Sequence, residues 1–134
     1  MFFLGICNGE TSSACLFSGG DLIAACSEER FTRKKMDDSF PLNSIKYCLK
    51  SLNLKLTNID VISYAWSKGY PENLLVQNYE RFLKLKSQNE RNIFIERIKM
   101  EQERDIPRRN EFWSWIKKQK LSKKPFTVVG NGKQ

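Results

Sequence analysis

The chain has 134 residues, a formal net charge of +8 and no histidine. That length fits one ordinary domain and leaves no room for a two-domain enzyme with a deep cleft, unless the chain is a piece of one. With 40% hydrophobic and 12% aromatic residues it can bury a core, which argues against full disorder. The absence of histidine excludes a Ser-His-Asp or Cys-His machine, a His-ligated zinc or iron site, and any histidine base carried by this chain.

Phe2–Cys7 reads as a short buried strand, followed by a polar turn at Asn8-Gly9-Glu10-Thr11-Ser12. Ser13–Ser18 returns to apolar character, Gly19-Gly20-Asp21 signals a hairpin, and Leu22–Ser27 is a third strand. The first 27 residues therefore read as a three-stranded antiparallel meander. Glu28–Ser39 reads as a charged loop. Phe40-Pro41 sets a helix start, and Ile45, Leu49 and Leu52 follow at helical spacing. Thr57–Asp60 is a turn and Val61–Trp66 a fourth strand, so the order is β-β-β-α-β.

Lys68-Gly69-Tyr70-Pro71 is a breaker, after which charged and apolar residues alternate at spacings of three and four. Ser87-Gln88-Asn89 predicts a break between two helices, and Pro107 the end of the second. Asn110 is then placed to cap a third helix, which carries Phe112, Trp113, Trp115 and Ile116 into Lys117, Lys118 and Lys120. Trp113 and Trp115 cannot share one helix face fully, so one of them is expected exposed, or buried against a missing neighbour. Phe126–Val129 reads as one more short strand.

Residues 1–67 hold seven basic and seven acidic side chains, whereas residues 68–134 hold sixteen and eight, so the whole excess sits in the second half. Cys7, Cys15, Cys26 and Cys48 form no CxxC pair, and each lies in an apolar run, where a free Cys behaves as a small core residue. Met1–Cys7 lacks a basic leader and is too short to span a bilayer. A reducing, cytoplasmic setting with no membrane partner fits this usage.

Two stretches can carry chemistry. Gly9, Thr11, Ser12 and Ser13 can point backbone N–H groups and hydroxyls at a phosphate, or can form an ordinary solvated turn. Glu28-Glu29-Arg30-Phe31-Thr32-Arg33-Lys34-Lys35 can be a solvated loop. It can equally be an anion site in which Arg30, Arg33 and Lys34 meet phosphate or carboxylate, oriented by Glu28 and Glu29. Aromatics and lysines interleaved between Phe112 and Lys120 can mark nucleic-acid binding, or an amphipathic helix with its rings inward.

Residues 3–66 resemble the N-terminus of the O-carbamoyltransferases of nodulation-factor and antibiotic biosynthesis. The resemblance is carried by Leu4-Gly5-Ile6, Ser12-Ser13-Ala14, the run Leu22-Ile23-Ala24-Ala25-Cys26-Ser27-Glu28-Glu29-Arg30-Phe31-Thr32-Arg33-Lys34-Lys35, Phe40-Pro41-Leu42 and the strand Ile59–Trp66. It implies an α/β chain: the β-β-β-α-β first subdomain of an actin/sugar-kinase/heat-shock ATPase-like (ribonuclease H-like) fold, with a helical insertion after it. On that reading residues 1–67 are the core, 68–122 the basic insertion, and 123–134 the truncated start of the next strand. The complete enzymes are implied to use ATP, carbamoyl phosphate and a divalent metal, iron. A separate domain makes a carbamoyl-adenylate, and the carbamoyl group passes to a substrate hydroxyl.

Two departures follow. Where the family carries a histidine in the first turn, as base for the attacking hydroxyl, Glu10 stands here; a carboxylate is the weaker base unless burial raises its proton affinity. The family's His-His-x-x-His-Ala metal motif has no counterpart, since the chain runs out at Gly130-Asn131-Gly132-Lys133-Gln134. The expectation is an N-terminal piece that is inactive alone and lacks metal ligands. A second chain would supply the rest and a hydroxyl-bearing small molecule would be the acceptor. Glu10 would be base or orienter, Thr11, Ser12 and Ser13 polar contacts, and Glu28, Arg30, Arg33 and Lys34 would hold the loop or the anionic donor. The alternative is a non-catalytic basic module contacting nucleic acid or an acidic partner. The resemblance weakens the nucleic-acid reading, because the basic half is the helical insertion.

Overall fold

The computed structural model describes residues 1–65 and 79–121, the side chains of residues 101, 102, 104–106 and 109 excepted. Strands β1 (Phe2–Cys7), β2 (Ser13–Ser18) and β3 (Asp21–Ser27) form the expected antiparallel meander. Gly19 and Gly20 join β2 to β3 at φ of +59° and +101°. A two-residue turn with both φ values positive matches the strands' twist, and glycine reaches it without a Cβ clash.

The charged stretch departs from the expected loop. Glu29–Thr32 is a single helical turn, α1, closed by Arg33 in the left-handed region at φ +60°. Helix α2 (Leu42–Ser51) then crosses back over the sheet with Ile45 and Cys48 inward. A 3-10 turn at Leu56–Asn58 leads into β4 (Val61–Tyr64), which pairs in parallel with β1. Asp60 clips this return to the start of the chain: its carboxylate accepts from the Phe2 N–H at 2.7 Å, and its own N–H donates to the Phe2 carbonyl. The sheet order is β3-β2-β1-β4, the β-β-β-α-β arrangement read from the sequence.

Residues 79–84 are helical, and Ser87 caps the next helix, α3 (Gln88–Lys118), with Glu90 completing a reciprocal capping box. The expected break at Ser87–Asn89 is therefore present. The expected stop at Pro107 and the cap at Asn110 are not, because α3 runs unbroken through both. A proline inside a helix costs about 3 kcal/mol. The C-terminal third of α3 offsets this by docking on the sheet, with Phe112 and Ile116 in the core and Trp113 and Trp115 packed against it. Both tryptophans are half-buried, so neither stands free in solvent as their spacing suggested.

Strand alternation sorts the sheet into two faces. Leu4, Ile6, Ala14, Leu16, Ile62 and Tyr64 point to one side and form the core beneath α2 and α3. The Tyr64 ring stacks parallel on Phe112, with centroids 3.9 Å apart. The opposite face carries mostly small residues, Gly5, Cys7, Ser13, Cys15 and Ser63 among them, all half-buried. The Cys15 Sγ lies so close over Gly5 that a Cβ there would sit 2.6 Å from it. Trp66, the breaker at 68–71 and the strand expected at 126–129 lie outside the described residues.

Candidate functional site

The β1–β2 turn is tied down at both ends and open in the middle. Asn8 is buried at the end of β1 and donates its amide to the Arg108 carbonyl of α3 at 3.1 Å. Ser12 is also buried, and its hydroxyl donates to the Asn8 side-chain oxygen. The Ser12 N–H donates to the Asp37 carbonyl, and its own carbonyl accepts from the Glu28 N–H. Ser12 is thus a strut of the turn that faces inward. Glu10 and Thr11 face solvent at its tip.

Glu28 is the most engaged of the sequence-predicted residues. Its side chain is 1% exposed, and its two oxygens accept from the Asn43 N–H (3.2 Å), Asn43 Nδ2 (2.7 Å), Ser44 N–H (2.9 Å) and Ser44 Oγ (2.8 Å). The two backbone N–H groups belong to the first turn of α2 and have no partner within the helix. Pro41, at the cap position, has no side chain to serve them. A carboxylate from beyond the end of β3 does so instead, and sits at the positive end of the helix dipole. Glu28 therefore locks α1 to α2 and points into the protein.

The neighbouring charges divide. Arg30 is exposed and turns toward the sheet face that no described helix covers. Arg33 closes α1 through its backbone, and Lys34 makes an exposed pair with Asp38 at 3.6 Å, which contributes little to stability. Asp38 also accepts from Arg108 Nη2 at 2.8 Å, and that hydrogen bond holds its carboxyl below the usual range. Asp37 is lowered to about 2, first by the Thr32 and then by the Ser39 side-chain hydroxyl.

Arg30 and Ser13 meet at an open groove of about 570 Å³ on this face. Its walls come from the carboxyl ends of β1, β3 and β4 and the start of β2, and include Cys7, Ser27, Ser63 and Ala65. Carboxyl ends of adjacent parallel strands are where ligands enter open α/β sheets. Three serines supply hydroxyls of either hydrogen-bond sense, Arg30 supplies a planar cation, and among the described residues no carboxylate lines the groove. That chemistry suits an anion. Cys15, also in the wall, has its thiol pushed up by burial and is a weak nucleophile in this setting. Of the eight predicted site residues, the groove gathers Ser13 and Arg30; Glu10, Thr11, Ser12, Glu28, Arg33 and Lys34 do not line it.

Residues 3–121 match the family described as Carbamoyltransferase N-terminus. The chain belongs to this family. Its core is similar to the nodulation protein NolNO of Sinorhizobium fredii, at 40% identity over 68 residues, 48% of this chain and 10% of that protein. It is also similar to an uncharacterised protein of Synechocystis, at 47% over 53 residues (40% of this chain, 9% of that one). An uncharacterised protein of Methanocaldococcus jannaschii matches at 36% over 66 residues (49% and 13%). The carbamoyltransferase-family chain thus spans about a tenth of the length of these relatives. Among solved structures, YeaZ from Pseudomonas aeruginosa overlaps 60% of this chain and 36% of its own, at 15% identity and a TM-score of 0.36.

Sequence reasoning missed Asn8, Arg108 and Ser63. Arg108 bridges three segments far apart in the chain, a role no local pattern announces. Ser63 sits on the groove side of β4 by strand alternation alone, a signal that was there to be read.

Proposed function

We propose that this chain forms the first part of a catalytic lobe that transfers a carbamoyl group from a carbamoyl-adenylate, made from carbamoyl phosphate and ATP, to a substrate hydroxyl. The observation that carries the reading is the family match joined to an anion-suited groove at the carboxyl ends of β1 and β4. In the reaction the acceptor oxygen attacks the carbamoyl carbon, its proton passes to a base, and the C–O bond to the adenylate breaks with AMP leaving. Arg30 would hold the anionic donor, Ser13, Ser27 and Ser63 would orient it, and Glu28 would fix the position of α1 beneath Arg30. Glu10, at the open tip of the first turn, would be the base or orienter, with Thr11 beside it.

The divalent metal that the resemblance implies does not fit this chain's described residues. They gather no group of three or more His, Cys, Asp or Glu side chains, and the sequence has no histidine. No helix among the described residues is long and apolar enough to cross a membrane.

The chain alone is proposed to be inactive, with a second polypeptide completing the cleft. Purified chain supplied with carbamoyl phosphate, ATP and a hydroxylated acceptor should yield no carbamoylated product. Turnover by the chain alone would contradict the incomplete-lobe reading.

A further inference from the structure

The outer surface of α1 and α2 combines exposed apolar side chains with an excess of positive charge. Phe31 and Tyr47 are 43% and 49% exposed and contact each other, with ring centroids 5.9 Å apart and planes tilted by 53°. Met36 and Leu42, in the same stretch of chain, are 55% and 43% exposed. Arg33, Lys35, Lys46 and Lys50 are exposed, and Lys34, also exposed, pairs with Asp38. The nearby carboxylates are engaged within the chain. Glu29 accepts from the Met36 N–H, Asp37 from the Ser39 N–H, and Asp38 from Arg108. Glu28 is buried on α2.

We propose that this face is a docking surface for an acidic protein surface that presents an apolar anchor. Charge complementarity selects an acidic partner, and the same positive excess disfavours a second copy of this chain. The apolar part selects a protein over a nucleic acid. Two rings tilted by 53° pack into each other and do not offer parallel faces to successive bases, whereas base stacking is what such binding rests on. Aromatic residues, methionine and arginine together are the composition of protein-interface centres, with lysines at the rim. The relatives carry about nine-tenths of their length outside the matched region, so family members hold far more polypeptide than this chain does. The proposal rests on this surface and stands independently of the groove around Ser13 and Ser63.

The test is an amide-resonance titration of the full ¹⁵N-labelled chain with a random copolymer of glutamate and tyrosine, an acidic polypeptide with apolar anchors. Polyglutamate, oligothymidylate and anionic phospholipid vesicles serve as parallel probes. The copolymer should move the resonances of Phe31, Lys46, Tyr47 and Lys50, bind more tightly than the other three, and weaken as salt is raised. The double variant K46E/K50E should weaken binding about tenfold, and Tyr47→Ala about fivefold, with the folded chain's far-ultraviolet circular dichroism retained because all three positions are exposed. K46Q/K50Q, a milder pair, should fall between. The proposal is overturned if the resonances stay still or only α3 responds. It is also overturned if oligothymidylate or vesicles bind tighter than the copolymer, or if charge reversal leaves binding unchanged.

Discussion

Glu28 offers the most searching test of how the site is held. Replacing it with glutamine keeps the size and removes the charge. The new amide group then faces donors: the Asn43 N–H and Nδ2 on one oxygen's side, the Ser44 N–H and Oγ on the other's. The Ser44 hydroxyl can turn to accept, but one backbone N–H is left buried without a partner, at a cost of about 1–3 kcal/mol. Loss of a negative charge at the helix N-terminus adds about 0.3–1 kcal/mol. Glu28→Gln should therefore destabilise by about 2–3 kcal/mol, and Glu28→Ala, which loses all four hydrogen bonds and leaves a void, by about 4 kcal/mol. Stability for a chain of this size is on the order of 5–15 kcal/mol, so either change is a large fraction. Urea unfolding followed by far-ultraviolet circular dichroism reads this as a lower midpoint. In a double-mutant cycle with Ser44→Ala, the two substitutions should couple by about 1 kcal/mol. A Glu28→Gln midpoint within about 0.5 kcal/mol of the parent would refute the buried-cap account, since that is the scatter of changes away from such features.

Other consequences are as direct. Asp37 is lowered from the ordinary 3.8 to about 2, so its contribution to stability is present above pH 3.8 and is lost as pH falls through about 2; Asp37→Asn should flatten that acid limb in pH-dependent unfolding, and an unchanged limb would contradict the assignment. Phe112→Ala removes a fully buried ring stacked on Tyr64 and should cost about 3–5 kcal/mol, with the tryptophan emission shifting red as α3 loosens; an emission maximum that stays put would show that α3 does not depend on this contact. Burial pushes the Cys48 thiol up to about 11, so in the folded chain Cys48 should be the last of the four cysteines alkylated at neutral pH, as peptide mapping can determine.

The elements that were legible in the sequence are those whose signals are local. The meander follows from short apolar runs separated by a polar turn and by Gly19-Gly20, and α2 and β4 from spacing and β-branching. Helix α1 was not legible, because a charged run has no helical periodicity. It forms where Glu28 is drawn onto α2 and Glu29 accepts from Met36, contacts made across seven to sixteen residues. Pro107 misled for a related reason: the local cost of proline is real, and docking of Phe112 and Ile116 outweighs it. The candidate site was half legible. Residue type and strand ends picked out Arg30 and Ser13 as polar groups near a cleft. The charged run gave Glu28 an orienting role, but nothing local in it separated Arg30, which lines the groove, from Arg33 and Lys34, which do not.

Arg30 and the groove serines are proposed to form the anion-binding part of a carbamoyl-transfer lobe. Titration of AMP, the proposed leaving group, into the ¹⁵N-labelled chain tests it most directly. The account predicts resonance shifts at Ser13, Ser27, Arg30 and Ser63 that vanish in Arg30→Ala while Arg33→Ala leaves them intact. Shifts centred elsewhere, or shifts that survive Arg30→Ala, would contradict it.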